Sequence, residues 1–351
     1  MFEDTFKTKK VKKLFYLTSI LLFTFCSNQQ KKINPKIEII DKSIESIIDV
    51  YSEIEIIADS ILLPEGPVWH NDSKSLFFTD VISNKVLKWN KSDGVSDYLF
   101  PSGNTGYAPN FGKGILGANG LSIDEKGSLI LCQHGDRRIA SIGNLNSKEK
   151  NLETVIDNYK GKRLNSPNDL TISKRGEIYF TDPPFVFFDL DSFKFRKTKM
   201  KELDFNGVYK YNPKSNEIAL ISKEIQTPNG IGLTPDETYL YVNQMGKPFS
   251  DSESQIKKID LKNMKVETFF EGKELVEKFN DGKDFDGMVV HSSGNIFTSG
   301  PGGLLVISPE GELKARIDVG HITNCTLDTN ENYLYVTGFL DNPKVYRMKL
   351  K

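Results

Sequence analysis

A strand pattern that returns six times is what most constrains the fold. Residues 76–80, 129–133, 178–182, 240–244, 296–300 and 334–338 are short runs rich in β-branched and aromatic residues, the composition of strands. Each follows a polar cluster, four of the six with Gly or Pro, such as 124–127 or 234–237, of the kind tight hairpins need. A short apolar run precedes each turn. A third strand follows each central run, at 85–89, 138–142, 207–211, 255–259, 303–307 and 344–348, and a weaker fourth comes after the first five of these. Successive central runs, measured from Asp80 to Gly338, lie 53, 49, 62, 56 and 38 residues apart. Four strands repeated at this interval form the blade of a β-propeller. The expected fold is all-β, a six-bladed β-propeller, with a sandwich or solenoid as the alternative.

The sixth repeat lacks a fourth strand, and residues 53–58 make a strand with no blade of its own. An unpaired sheet edge invites aggregation. Residues 53–58 are therefore expected to pair with 344–349, complete the last blade and close the ring.

The chain of 351 residues carries 46 basic and 47 acidic side chains. That balance gives no general attraction to nucleic acid or to an anionic membrane. The beginning is different. Lys7, Lys9, Lys10, Lys12 and Lys13 precede an apolar run at 14–25 that ends at Cys26. This is the order of a secretory signal, and the run is shorter than the roughly 20 residues a membrane span needs. Cys26 followed by Ser-Asn-Gln-Gln resembles a bacterial lipoprotein junction, with Phe25 bulky where a small residue is usual. The expected organisation is a signal at 1–26, a tether at 27–52 and a propeller at 53–351. The expected location is the cell envelope or periplasm, with a lipid on Cys26 as the link to a membrane. Cys132 and Cys325 are too few for a disulfide framework and sit in apolar runs, so both are expected to be buried thiols.

Counting back 14 or 15 residues from the end of each central run gives Glu65, Asn119, Asn168, Asn229, Asp286 and Asn324. Singly, Asn-Gly and Asp-Gly are ordinary turn dipeptides. As a set, all six bear oxygen and share one phase at the head of the innermost strand, which lines a propeller's channel. Two carboxylates and several amide oxygens suit a hard divalent cation, calcium first, with magnesium, manganese or zinc as alternatives.

Residues 63–69 (Leu-Pro-Glu-Gly-Pro-Val-Trp), 165–169 (Asn-Ser-Pro-Asn-Asp), 228–230 (Pro-Asn-Gly) and 286–288 (Asp-Gly-Met) resemble motifs of the senescence marker protein/gluconolactonase/luciferin-regenerating family. Residues 117–121, 132–135 and 300–303 are most similar to its bacterial gluconolactonase branch. The resemblance implies a six-bladed propeller with one divalent metal in the channel. It makes Glu65, Asn229 and Asp286 metal ligands, with Asn168 a metal or substrate contact and Asp286 the general base. Some relatives carry arginine where this chain has Ser166, so a sugar contact is expected to differ.

The chemistry these residues suggest is hydrolysis of a small lactone or ester, the expected partner molecule. A cation would polarise the carbonyl while Asp286 takes a proton from the attacking water. Asn119, Asn168 and His134 are candidate substrate contacts, and His134 is a second candidate for proton transfer, since imidazole titrates near neutrality. His70, His291 and His321 receive no role. The chain has no Gly-x-Ser-x-Gly elbow, which argues against a serine hydrolase. Two other functions share these features: an ester or organophosphate hydrolase on the same site, and a propeller that binds a ligand without turnover. Residues 185–205, rich in Phe, Lys and Asp, are expected to form a loop near the channel mouth that could act as a lid.

Overall fold

The computed structural model describes residues 31–339 and 342–351. Six sheets of four or five antiparallel strands form the blades of a propeller. Blade 1 runs from Pro64–His70 through Ser75–Asp80 and Lys85–Asn90 to Gly94–Leu99. Blades 2 to 6 start their inner strands at Ala118, Leu170, Pro228, Met288 and His321.

Burial along each blade explains the sequence pattern. The second strand is buried on both faces, as in Ser75–Asp80, Leu129–Gln133 and Ile178–Asp182, so it reads as a continuous apolar run. The outermost strands, such as Gly94–Leu99 and Glu217–Ser222, alternate or stay exposed. Side chains of the second strand point alternately to the two neighbouring blades. Leu76 and Phe78 pack with Tyr335 and Val345 of blade 6, while Phe77 packs with Leu121 and Leu131 of blade 2. The same division makes one apolar cluster at each of the six junctions. Cys132 and Cys325 are buried thiols in two of these clusters.

Ile54–Ala58 pairs with Pro343–Lys349 in the register Ile54 to Met348 and Ile56 to Tyr346, closing blade 6 as expected. The stretch read as a tether at 27–52 needs correcting from residue 31 onward. Lys36–Ile39 adds a fifth strand to blade 5 against Leu313–Asp318, and Lys32–Ile33 lies outside Ile54–Ala58 on blade 6. Between Lys36–Ile39 and the closing strand, a 3-10 turn at Lys42–Ser46 and the residues after it bury Ile44 and Ile48 among side chains of both blades. The sequence hid this because the strands are only two and four residues long and their isoleucines are interleaved with charged residues. The signal segment and Cys26 lie outside the described residues.

Around the channel the six blades are stitched together by hydrogen bonds to the heads of the inner strands. Thr79 Oγ1 donates to the Asn119 carbonyl at 3.1 Å, Gly120 N to the Asn168 carbonyl at 2.7 Å, and Thr181 Oγ1 to the Asn229 carbonyl at 2.8 Å. Gly230 N donates to the Asp286 carbonyl at 2.8 Å and Gly287 N to the Thr323 carbonyl at 2.7 Å. Thr323 Oγ1 completes the circuit by donating to the Pro64 carbonyl at 2.6 Å. The glycines after the polar residues are therefore not turn residues. They permit this close approach: a Cβ on Gly120 would lie 2.7 Å from the Asn168 carbonyl oxygen, and one on Gly287 2.1 Å from the Asn324 side chain.

Candidate functional site

The polar residue at the head of an inner strand sits at a one-residue bulge in blades 1, 2, 4 and 6, where the ladder slips between Glu65 and Val68, Ala118 and Leu121, Pro228 and Ile231, and Ile322 and Asn324. In blades 3 and 5 it lies just ahead of the first ladder pair. A bulge re-aims a side chain that regular pleating would place on a sheet face. Glu65, Asn119, Asn168, Asn229 and Asn324 are all buried, and Asp286 is half-buried.

Contacts knit the set together. Asn324 Nδ2 donates to Glu65 Oε2 and to Asp169 Oδ2, each at 3.3 Å. Asn168 Nδ2 lies 3.4 Å from His134 Nε2. The Asn229 amide bonds the Asp286 carboxylate, and its Nδ2 also meets Met245 Sδ at 3.1 Å. Asn168 Oδ1 is buried without a hydrogen-bond partner, an acceptor that lacks its donor. The structure thus joins Glu65 with Asn324, Asn168 with His134, and Asn229 with Asp286. Asn119 takes the matching bulge of blade 2 and contributes its carbonyl to the stitching.

Three carboxylates feel one another here. Burial pushes the Glu65 carboxyl up to about 8, against a backbone hydrogen bond from Gly66, and Asp169 raises it further. Burial likewise pushes Asp169 up to about 7. Asp286 is held well above the ordinary carboxylate range, by burial first and then by Glu65, Asp284 and Asp169. None of these shifts is opposed by a lysine or arginine. Buried carboxylates without a cationic partner must hold protons or receive a cation. Among the described residues no three Asp, Glu, His or Cys side chains meet closely enough to hold an ion by themselves. An ion here would need amide oxygens as well, and the unpartnered Asn168 Oδ1 fits that requirement.

Two residues differ from expectation. Burial drives His134 down to about 3, so its ring is neutral at physiological pH and does not titrate near neutrality as an exposed imidazole would. Asp169 has a larger part than the sequence reading gave it. Its signal was present, since it stands where four other blades place Gly after the polar residue.

The channel widens into a cavity of about 190 Å³ along the inner strands, reaching Val68, Leu121, Thr171, Ile231, Val290 and Thr326, one from each blade. Its lining includes Asp169 and Asn324 but not Asn168, Asn229 or Asp286. The cavity thus meets the polar site at Asp169 and Asn324 and runs from there along the inner strands. At His134 stands the insertion of blade 3. It is a packed element, with a 3-10 turn at Phe185–Phe187 and a hairpin pairing Phe188–Asp189 with Lys194–Phe195. The Phe185 ring lies 6.2 Å from that of His134 and 5.6 Å from that of Phe249. Ser166 Oγ anchors the insertion by donating to the Pro183 carbonyl at 2.6 Å and accepting from Val186 N at 3.1 Å.

Residues 63–339 match the model of the SMP-30/gluconolactonase/LRE-like family. Among individual proteins, a gluconolactonase of Zymomonas mobilis is 33% identical over 305 residues, covering 84% of this chain and 81% of its own length. The solved structure of a gluconolactonase from Xanthomonas campestris superimposes with a TM-score of 0.74 at 25% identity, over 91% of this chain and 95% of that one. A calcium-binding regucalcin from Agrobacterium tumefaciens shares the fold, with a TM-score of 0.61 at 14% identity over 84% of this chain and 94% of its own.

Proposed function

Since the chain belongs to the SMP-30/gluconolactonase/LRE-like family, we propose that it is a lactone hydrolase that opens a sugar lactone with the help of one divalent cation, calcium first. The observation that carries the cation is the group of carboxylates Glu65, Asp169 and Asp286, which no lysine or arginine neutralises, together with the unpartnered Oδ1 of Asn168, the residue before Asp169. Glu65, Asn229 and Asp286 would hold the ion, with Asn168 at or beside it. When bound, such an ion supplies Lewis-acid polarisation of the lactone carbonyl.

The remaining work falls to the chain's own residues. Asp286 takes a proton from the water that attacks the carbonyl carbon. The ring carbon–oxygen bond then breaks, and the departing oxygen recovers a proton as a hydroxyl. Burial first, and then crowding by Glu65, Asp284 and Asp169, raises the proton affinity of the Asp286 carboxylate, which opposes the loss of basicity that ligation brings. Its backbone is pinned on both sides: Asp286 N donates to Ser299 Oγ at 2.5 Å, and Asn243 Nδ2 donates to its carbonyl at 2.7 Å. Asn168 and the neutral His134 orient the substrate, and Asn119 lines the neighbouring blade.

Ser166 favours a second reading, an ester or organophosphate hydrolase. Its hydroxyl is spent on Pro183 and Val186, so a sugar-hydroxyl contact is missing there. Turnover of a panel of lactones, aryl esters and organophosphates, with and without chelator, separates the readings. Hydrolysis that survives full chelation overturns the metal-assisted mechanism. We also propose export and lipid attachment at Cys26, supported by the lysine-rich start and the apolar run before it.

A further inference from the structure

We infer that Asp80, Asp182 and Gln244 are positioning residues. Each closes the second strand of its blade and fixes the backbone three residues ahead of the channel residue that the same blade presents. The inference rests on reading Glu65, Asn168 and Asn229 as site residues.

In blade 3, Asp182 spreads its two oxygens over two successive amides. Asn165 N donates to Oδ2 and Ser166 N to Oδ1, both at 2.8 Å. Asn165 stands three residues before Asn168. In blade 1, Leu62 N and Leu63 N donate to the two oxygens of Asp80 at 3.1 Å each, and Leu62 stands three residues before Glu65. In blade 4, Gln226 N donates to Gln244 Oε1 at 3.4 Å, three residues before Asn229. Blade 5 carries Gly300 at this point, and there Ser299 accepts directly from Asp286 N. The other two blades lack the device. Gln133 of blade 2 donates to the Ser102 carbonyl instead, and blade 6 has Gly338.

Asp182 is fully buried and Asp80 is 4% exposed. A buried carboxylate is costly where an apolar residue would pack as well. What it adds is a planar pair of oxygens that accept from two consecutive N–H groups, a directional grip. Glu65 and Asn229 sit at bulges and Asn168 just ahead of its first ladder pair, where no regular ladder defines a side chain's direction. The grip at the loop's end supplies the missing constraint.

Asp182→Asn and Asp80→Asn keep the shape and turn one acceptor into a donor facing an N–H. The inference expects distinct signatures. Asp182→Asn should raise KM for gluconolactone and lower kcat/KM by about 10- to 100-fold, the effect of a misplacement near 1 Å, with calcium affinity by calorimetry unchanged. Asp80→Asn should weaken calcium binding at Glu65 by about 10-fold or more. Ile178→Val, at the far end of the Asp182 strand, is the stability-matched control and should alter neither. If all three variants lose activity in proportion to melting temperature alone, the residues are merely structural and the inference is overturned. If Asn168→Ala is impaired while Asp182→Asn is normal, the site stands and the inference fails. Normal turnover by Asn168→Ala would instead remove the site reading, and this inference with it. Should Asp182→Asn not fold, Asp80→Asn and Gln244→Leu carry the same test.

Discussion

Gly230→Ala is the sharpest probe of how the ring holds its site. Gly230 follows Asn229 and donates its N–H to the Asp286 carbonyl at 2.8 Å. A Cβ there would stand 2.4 Å from that oxygen and 2.8 Å from the Gly287 backbone. Real Cβ contacts essentially never fall below 3.0 Å, so the strands must separate by about 0.6 Å or more. The obstructing atoms are backbone, so no rotamer change relieves them. Blade 4 carries Asn229 and blade 5 carries Asp286, and the separation opens directly between them. Overpacking of this kind costs about 1–3 kcal/mol, a few degrees of melting temperature in a domain of this size. Displacement of a reacting group approaching 1 Å costs up to about 100-fold in rate. Activity should therefore fall far more than stability. The assay is proton release on gluconolactone, paired with calorimetric melting and calcium titration. Gly143→Ala is the control, since a Cβ there meets nothing within 4 Å and should be silent. A Gly230→Ala protein with wild-type kcat/KM would refute the claim that the approach of these strands sets the site.

Other outcomes follow from the same geometry. Asp286→Ala should abolish lactone turnover even at saturating calcium, whereas Glu65→Ala should recover part of its activity as calcium is raised; normal turnover by Asp286→Ala would remove the base. Glu65 and Asp169 hold protons to about 8 and 7 in the fold, against ordinary values of 4.5 and 3.8. The unfolded chain gives those protons up first, so the metal-free protein should lose stability as pH climbs from about 4 to 8. Calcium should stabilise more at pH 8 than at pH 5, and a calcium effect independent of pH would count against carboxylate ligation. A chain starting at residue 53 should melt below one starting at 31, because it lacks the fifth strands and the buried Ile44 and Ile48, each worth about 1.5–3 kcal/mol; one starting at 61 should aggregate, and equal melting of the first two would show residues 31–52 to be idle. Cys26→Ser should release the protein from membranes in its native host, and a mature chain beginning elsewhere and fractionating as soluble would end that proposal.

Much was legible before any coordinates. The runs ending at Asp80, Gln133, Asp182, Gln244, Gly300 and Gly338 marked central strands because a strand between two blades is buried on both faces and is apolar on both for most of its length. Phase alone then picked out Glu65, Asn119, Asn168, Asn229, Asp286 and Asn324, since a repeated fold puts equivalent positions at equivalent places. The missing fourth strand of the last repeat called for residues 53–58.

Other properties depended on pairings between residues far apart in the chain. Asp169 joins the carboxylate group because Asn324 bridges it to Glu65, a contact between blades 3, 6 and 1. His134 looked able to titrate, and burial beside Asn168 and Phe185 takes that away. Residues 31–52 looked like tether because their isoleucines, interleaved with charges, find partners only on blades 5 and 6. The sequence by itself determined which residues repeat, hence the blades and the ring of oxygens, because periodicity is a local property of the chain. Only the tertiary structure decided which of those oxygens lack a partner and which carboxylates raise one another's proton affinity, because desolvation and Coulomb energy depend on distances that no local pattern contains.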